Sequence, residues 1–183
     1  MLPVMLDLKR GPVILYGDGP AAVRRYRLLV EAGATHIRVF SPAEPSPALS
    51  RTVGTVTIGA PEDTDIADAI AVFVADVPDA AVVAARARAL RVLVNVEDDT
   101  RHCDFYTPSV VRRGDLVIAI STGGKSPGLA RLLRQRLEGE FGPEWGERLA
   151  RIGEARATWR AEGLDLATVA ARTRDLVEKE GWI

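Results

Sequence analysis

Residues 12–16 (Pro-Val-Ile-Leu-Tyr) form a short apolar run that passes directly into Gly17-Asp18-Gly19. A stripe of Ala22, Tyr26, Leu29 and Val30 follows at helical spacings of three and four, and Gly33 stands where a C-cap glycine is expected. Ile37-Arg38-Val39-Phe40 is the next strand, ended by Ser41-Pro42. Residues 42–47 hold three prolines and read as loop, and residues 53–58 alternate with a period near two and read as a strand. Residues 70–75 are a continuous apolar run, as a strand buried on both faces requires, residues 92–96 read as another buried strand, and the alanine-rich stretch 79–90 between them is helical. Strands alternating with helices at this spacing predict a parallel sheet covered by helices on both sides.

The pattern changes after residue 96. Residues 97–107 are polar and irregular, and residues 116–120 form a strand. Ser121-Thr122-Gly123-Gly124-Lys125-Ser126 is a tight glycine loop, with Ser126 as N-cap and Pro127 as first residue of a helix whose apolar face holds Leu129, Leu132, Leu133 and Leu137. Two amphipathic helices close the chain, one with Trp145, Leu149, Ile152 and Trp159, the other with Leu166, Val169, Leu176 and Val177. The fold class predicted is therefore α/β, a Rossmann-like parallel sheet followed by a small C-terminal helical domain. In 183 residues, 24 basic side chains face 25 acidic ones, so the charge excess of a general nucleic-acid binder is missing. A single cysteine, Cys103, excludes an internal disulfide framework. No apolar run approaches the roughly 18 residues of a membrane span, and no secretory leader precedes the first strand. The expectation is a soluble, cytoplasmic protein with no membrane and no nucleic-acid partner.

Gly17-Asp18-Gly19-Pro20-Ala21-Ala22 has the form G-x-G-x-x-A, in the strand-to-helix setting that a dinucleotide fingerprint needs. The glycines let a pyrophosphate approach the backbone, and the helix start offers N–H groups and a positive dipole end. An acidic ribose partner is expected about 20 residues on. That place holds Phe40-Ser41, with Glu44 beyond Pro42, so Ser41 is the candidate and the residues themselves do not choose between NAD and NADP. The 121–126 loop ends like a Walker A motif, but Ala119 stands where its first glycine belongs. It reads instead as an anion nest, with Lys125 beside it and Arg131 and Arg134 on the following helix. Asp98, Asp99 and Asp104 flank His102 and Cys103 after a parallel strand, where carboxylates face the usual ligand crevice and one can act as general base. The His-Cys-Asp spacing is too tight for a tetrahedral zinc site, and no metal ligand set is expected.

Several of these segments, taken with Leu2-Pro3-Val4-Met5-Leu6-Asp7-Leu8, Arg24-Arg25, Asn95-Val96-Glu97-Asp98, Pro108-Ser109-Val110-Val111 and the stretch from Leu116 to Arg134, resemble the precorrin-2 dehydrogenase family. That family includes the N-terminal module of siroheme synthase and bifunctional dehydrogenase–ferrochelatases. The resemblance covers about residues 2–140. It implies NAD-dependent oxidation of precorrin-2 to sirohydrochlorin, with insertion of ferrous iron or another divalent metal in some members. It places the essential aspartate on Asp98, with Asp104 second. The glycine motif and the end of the second strand put the cofactor on Gly17, Asp18, Gly19, Pro20, Ala21 and Ser41; the resemblance matches Ser121, Thr122, Gly123, Gly124, Lys125 and Ser126 to the family's substrate-side loop, and Arg131, with Arg112 and Arg113, adds cations suited to the carboxylate-rich tetrapyrrole. The family architecture implies a homodimer and three regions: a cofactor domain over 1–108, a dimerisation segment over 109–143 and C-terminal helices over 144–183. The chain departs from the family at Asp18, which replaces the middle of three glycines, and at Ala75-Asp76-Val77-Pro78. Ending after two helices, it is expected to lack the methyltransferase module of fused siroheme synthases and to receive precorrin-2 from another protein. The competing readings are a non-catalytic NAD-binding regulatory domain, which leaves the second loop idle, and a phosphate-transfer enzyme, which Ala119 opposes.

Overall fold

The computed structural model describes residues 2–183. Residues up to Tyr106 form one compact unit and Thr107–Ile183 a second. In the first, β1 (Val13–Gly17), β2 (Ile37–Ser41), β3 (Thr57–Ile58), β4 (Ala71–Ala75) and β5 (Leu93–Val96) make a parallel sheet in the order β3-β2-β1-β4-β5. The order reverses at β1, so the switch point lies between β1 and β4. Alternate residues of the strands enter opposite cores. Leu15, Val39 and Phe73 pack under α1 (Gly19–Glu31) and α2 (Pro47–Val53), while Ile14, Tyr16, Val72 and Val94 pack under α3 (Asp63–Ala67) and α4 (Ala80–Ala89). Both faces being covered, the strands have no polar side, which is why β1 and β4 are apolar throughout. Leu29 of α1 is fully buried, a contribution of about 2 kcal/mol.

Three local expectations change. Residues 53–58 do not make one strand: α2 takes residues through Val53, Gly54 ends it at φ 84°, and only Thr57–Ile58 pairs with β2. The helix forms because Ser46 Oγ accepts from Leu49 N–H, Pro47 has the right φ for the first turn, and buried Leu49 anchors it. Val30 is half exposed rather than on the core stripe, because two turns of 3.6 residues bring Ala22 and Leu29, not Val30, onto the sheet. The short apolar run Val4-Met5-Leu6, which reads from sequence as a first strand, forms none and is exposed.

The Tyr16 hydroxyl donates to the carboxylate of Asp79, at 3.1 Å from each oxygen. Burial, then the Asp79 bond and charge, push the phenol from 10.0 up to about 12. The folded protein thus holds this proton more tightly than the unfolded chain. Its stabilisation is complete below pH 10 and is lost as the pH rises through 12. Denaturation midpoints are expected to fall across that window in the wild type, and Tyr16→Phe to lose this part of the pH dependence.

In the second unit, β6 (Ser109–Arg113) and β7 (Leu116–Ile120) form an antiparallel hairpin, closed by Gly114-Asp115. It carries α5 (Pro127–Glu140), α6 (Trp145–Ala161) and α7 (Leu166–Lys179). The position 143/144, read from sequence as a boundary, falls inside this unit, between α5 and α6. Arg113 donates to the carbonyls of Phe141 (2.8 Å) and Glu138 (3.3 Å), closing the C-terminal end of α5. It is therefore a capping residue, not a free cation. Among the described residues, no helix is long and apolar enough to cross a membrane.

Candidate cofactor and catalytic site

The C-terminal ends of β1, β4 and β5 open onto a crevice of about 240 Å³, lined by Ala21 and Arg24 of α1, Asp76 after β4, and Glu97 and Asp98 after β5. A larger hollow of about 370 Å³, lined by His36 and Arg38 among others, lies at the opposite end of β1 and β2, away from the strand ends that hold ligands in such sheets.

Gly17, the last residue of β1, lies against Ala75 of β4. A Cβ there would stand 2.2 Å from the Ala75 carbonyl oxygen, so only glycine lets the two central strands close up at the switch point. Gly19 begins α1 with φ 67°, and a Cβ on it would meet open space. The first turn of α1, with Pro20 at its start and buried Ala21 and Ala22, thus brings a helix N-terminus to the crevice, the arrangement that binds a pyrophosphate. Asp18 is extended (φ −139°), and its Oδ1 accepts from Ser46 N–H at 3.0 Å. Ser41 ends β2, is buried, and has a hydroxyl oxygen with no partner among the described residues. These features fit a dinucleotide.

Asp98 occupies the third position of a turn closed by Asp99 N–H to the Val96 carbonyl, with φ 59°. An aspartate tolerates this left-handed conformation at a cost of about 1 kcal/mol relative to the ordinary regions. Its side chain is exposed and accepts no hydrogen bond from the described residues. Asp76, across the crevice, is left-handed too (φ 54°) and exposed. Between them Arg24 pairs with Glu97 at 3.2 Å, and the second Glu97 oxygen is buried without a partner. Arg25 lies over the Phe73 ring at 5.5 Å; burial lowers its pKa, and the charges of Glu97, Cys103 and Asp98 oppose that shift. Asp76, Arg24 and Glu97 were not singled out from sequence as site residues. Their signal was available: each adjoins the C-terminal end of a parallel strand or the first turns of the helix that follows one.

The neighbouring acids have other tasks. Asp99 accepts from Arg101 (3.0 Å) and lies 2.9 Å from His102 Nδ1. These bonds hold its carboxyl far below the usual range. Asp104 Oδ1 accepts from Arg88 at 2.7 Å and Oδ2 from the buried Val94 N–H at 3.0 Å. It continues the pairing of the edge strand β5 and ties it to α4, a structural task for the second catalytic candidate. Asp104→Ala leaves Val94 N–H unpaired and is expected to cost about 2 kcal/mol in a urea titration, with turnover per folded molecule retained. The Cys103 Sγ donates to the Val96 and Asp99 carbonyls at 3.1 and 3.3 Å, so the thiol fastens the same loop.

In the second unit, Ser121-Thr122-Gly123-Gly124-Lys125-Ser126 is a self-bonded loop. Gly123 and Gly124 have φ 62° and 79°, which glycine adopts without strain. Thr122 Oγ1 accepts from Ser126 N–H (3.2 Å) and donates to the Ser126 carbonyl (3.1 Å), so its hydroxyl closes the loop on itself. Ser121 Oγ accepts from Gly123 N–H, and Ser126 Oγ caps α5 through Leu129 N–H. Lys125 and Arg131 are exposed and form no ion pair with the described residues, whereas Arg134 pairs with Glu138.

Residues 4–109 match the family described as "Putative NAD(P)-binding", and residues 113–140 the family described as "Sirohaem biosynthesis protein central". The siroheme synthase of Thiobacillus denitrificans is 39% identical, over 75% of this chain and 29% of its own length. Siroheme synthase 1 of Serratia proteamaculans is 35% identical, over 93% of this chain and 40% of its own length. The chain therefore spans roughly a third of the relatives it matches. A solved structure described as SirC, precorrin-2 dehydrogenase, superposes with a TM-score of 0.70 at 23% identity, covering 97% of this chain and 89% of that one, which shows the fold. With an NAD(P)-binding domain followed by a sirohaem central segment, the chain belongs to the family of the siroheme synthase N-terminal module.

Proposed function

We propose that the protein oxidises precorrin-2 to sirohydrochlorin, with NAD as acceptor and Asp98 as general base. The observation that carries this reading is the Asp98 carboxylate, exposed and without a hydrogen bond from the described residues, held in left-handed backbone on the crevice that α1 also lines. Such a conformation is kept where the surroundings impose it, and it aims a proton acceptor into the crevice. When bound, the cofactor supplies a hydride acceptor. Asp98 removes the proton that leaves the substrate as the hydride departs, so the substrate loses two hydrogens and two electrons and gains one double bond. The N–H groups of the first turn of α1 hold the pyrophosphate. Lys125 and Arg131, with no internal ion pair, are suited to carboxylates of the tetrapyrrole. Leu129, Leu132 and Leu133 of α5 are 49%, 64% and 39% exposed, an apolar face suited to a homodimer. Leu132→Glu is expected to turn the dimer into a monomer in light-scattering chromatography.

The test is anaerobic: protein, enzymatically made precorrin-2 and NAD, with absorbance followed for NADH and for sirohydrochlorin. Both rising together supports the dehydrogenase. Ferrous or cobalt ion added to the same cuvette tests metal insertion. Binding of NAD with neither turnover nor binding of sirohydrochlorin would leave a regulatory cofactor domain in its place.

A further inference from the structure

The second strand ends without the acidic residue that usually receives the adenosine ribose. Residues 40–42 are Phe-Ser-Pro, and Glu44 lies exposed beyond them. A carboxylate is nevertheless present near that strand end, delivered from the glycine loop. Asp18 leaves β1 in extended backbone, and its Oδ1 accepts from Ser46 N–H, the residue that caps α2 just after β2. This bond ties the charge to the loop after β2, and a second, from Gly19 N–H at the start of α1, gives the carboxylate another backbone donor. A carboxylate at this point in the motif without such donors would repel the pyrophosphate.

Two further observations point to a ligand there. Ser41, at the end of β2, is 1% exposed, and its hydroxyl oxygen has no hydrogen-bond partner among the described residues, a cost that a ribose hydroxyl would relieve. The loop also lacks the basic group that a 2′-phosphate needs. Between residues 39 and 60 the one basic side chain is Arg51, in the last turn of α2 and so at the far end of that helix from Ser46. A carboxylate keeps lone pairs for hydroxyl donors after accepting one N–H. Burial raises the Asp18 pKa, but the bonds from Ser46 and Gly19 more than offset this and keep the group ionised at neutral pH.

On the reading that this unit binds a nicotinamide dinucleotide, we infer that Asp18 and Ser41 form the adenosine-ribose site, with Asp18 accepting from the ribose hydroxyls and excluding the 2′-phosphate. The residue that breaks the glycine run is thus the specificity determinant. It replaces the acid missing at the end of β2 and selects NAD over NADP.

Calorimetric titration of NAD and of NADP into wild type, Asp18→Asn and Ser41→Ala tests this without turnover. Asn keeps an oxygen for Ser46 N–H and suits extended backbone, so it removes the charge alone; a thermal melt checks that the fold is retained. The wild type is expected to bind NAD at least about tenfold more tightly than NADP, and Asp18→Asn to narrow that ratio by about tenfold to a hundredfold. Ser41→Ala is expected to weaken NAD severalfold. An unchanged NAD-to-NADP ratio in folded Asp18→Asn would remove Asp18 from the ribose site while leaving dinucleotide binding intact. Absence of binding of either nucleotide to the wild type would overturn the cofactor reading and this inference with it.

Discussion

Asp98→Asn protein is expected to bind NAD as tightly as the wild type and to oxidise precorrin-2 at least about 100-fold more slowly. Asparagine accepts left-handed backbone as readily as aspartate, so the turn at φ 59° survives and only the proton acceptor is lost. Asp98→Gly sharpens the test. Glycine relieves the strained conformation and is expected to raise stability by about 0.5–1 kcal/mol while remaining as inactive as the asparagine variant. A more stable, inactive protein is what a strained functional residue predicts. Full turnover in either variant would remove Asp98 from the mechanism and return attention to Asp76 across the same crevice.

Gly17→Ala is expected to be the most damaging single methyl in the first unit. The added Cβ would lie 2.2 Å from the Ala75 carbonyl oxygen and 3.1 Å from its carbon. These are backbone atoms of a paired central strand, so no side chain can move aside. Strands β1 and β4 must separate at the switch point, at an expected cost of about 3 kcal/mol or more, a large part of the stability of a domain of this size. Urea titration is expected to show a markedly lower midpoint, and NAD affinity to fall with it, because the crevice opens where those strands end. A variant as stable as the wild type would show that the two strands can separate at little cost.

Much of the fold was legible because it rests on local rules. β4 and β7 are uninterrupted apolar runs, β5 is apolar but for Asn95, and α5 begins at Ser126-Pro127 because a hydroxyl cap and a fixed φ act within one turn. The same serine–proline signal starts α2 at Ser46-Pro47, yet three prolines in six residues obscured it. That helix is settled by Leu49 reaching the core, a non-local contact. The short α3, held by the Glu62 and Asp65 capping box and by buried Ile66, is settled in the same way.

Sequence by itself determined the parallel sheet, the two glycine loops and the aspartate after β5, since each depends on the order and spacing of residues along the chain. Tertiary structure alone decided which acid is available for chemistry. Asp98, Asp99 and Asp104 are alike in composition and lie within seven residues. Arg101 and His102 engage the second, Arg88 and Val94 engage the third, and the first is left to the crevice. Tertiary structure also turned Asp18 from a group that would oppose a pyrophosphate into one bonded to the loop after β2. A carboxylate's role follows from the donors that reach it: those of Asp99 lie within three residues of it, whereas those of Asp104 and Asp18 come from α4 and from the start of α2, which chain order does not place.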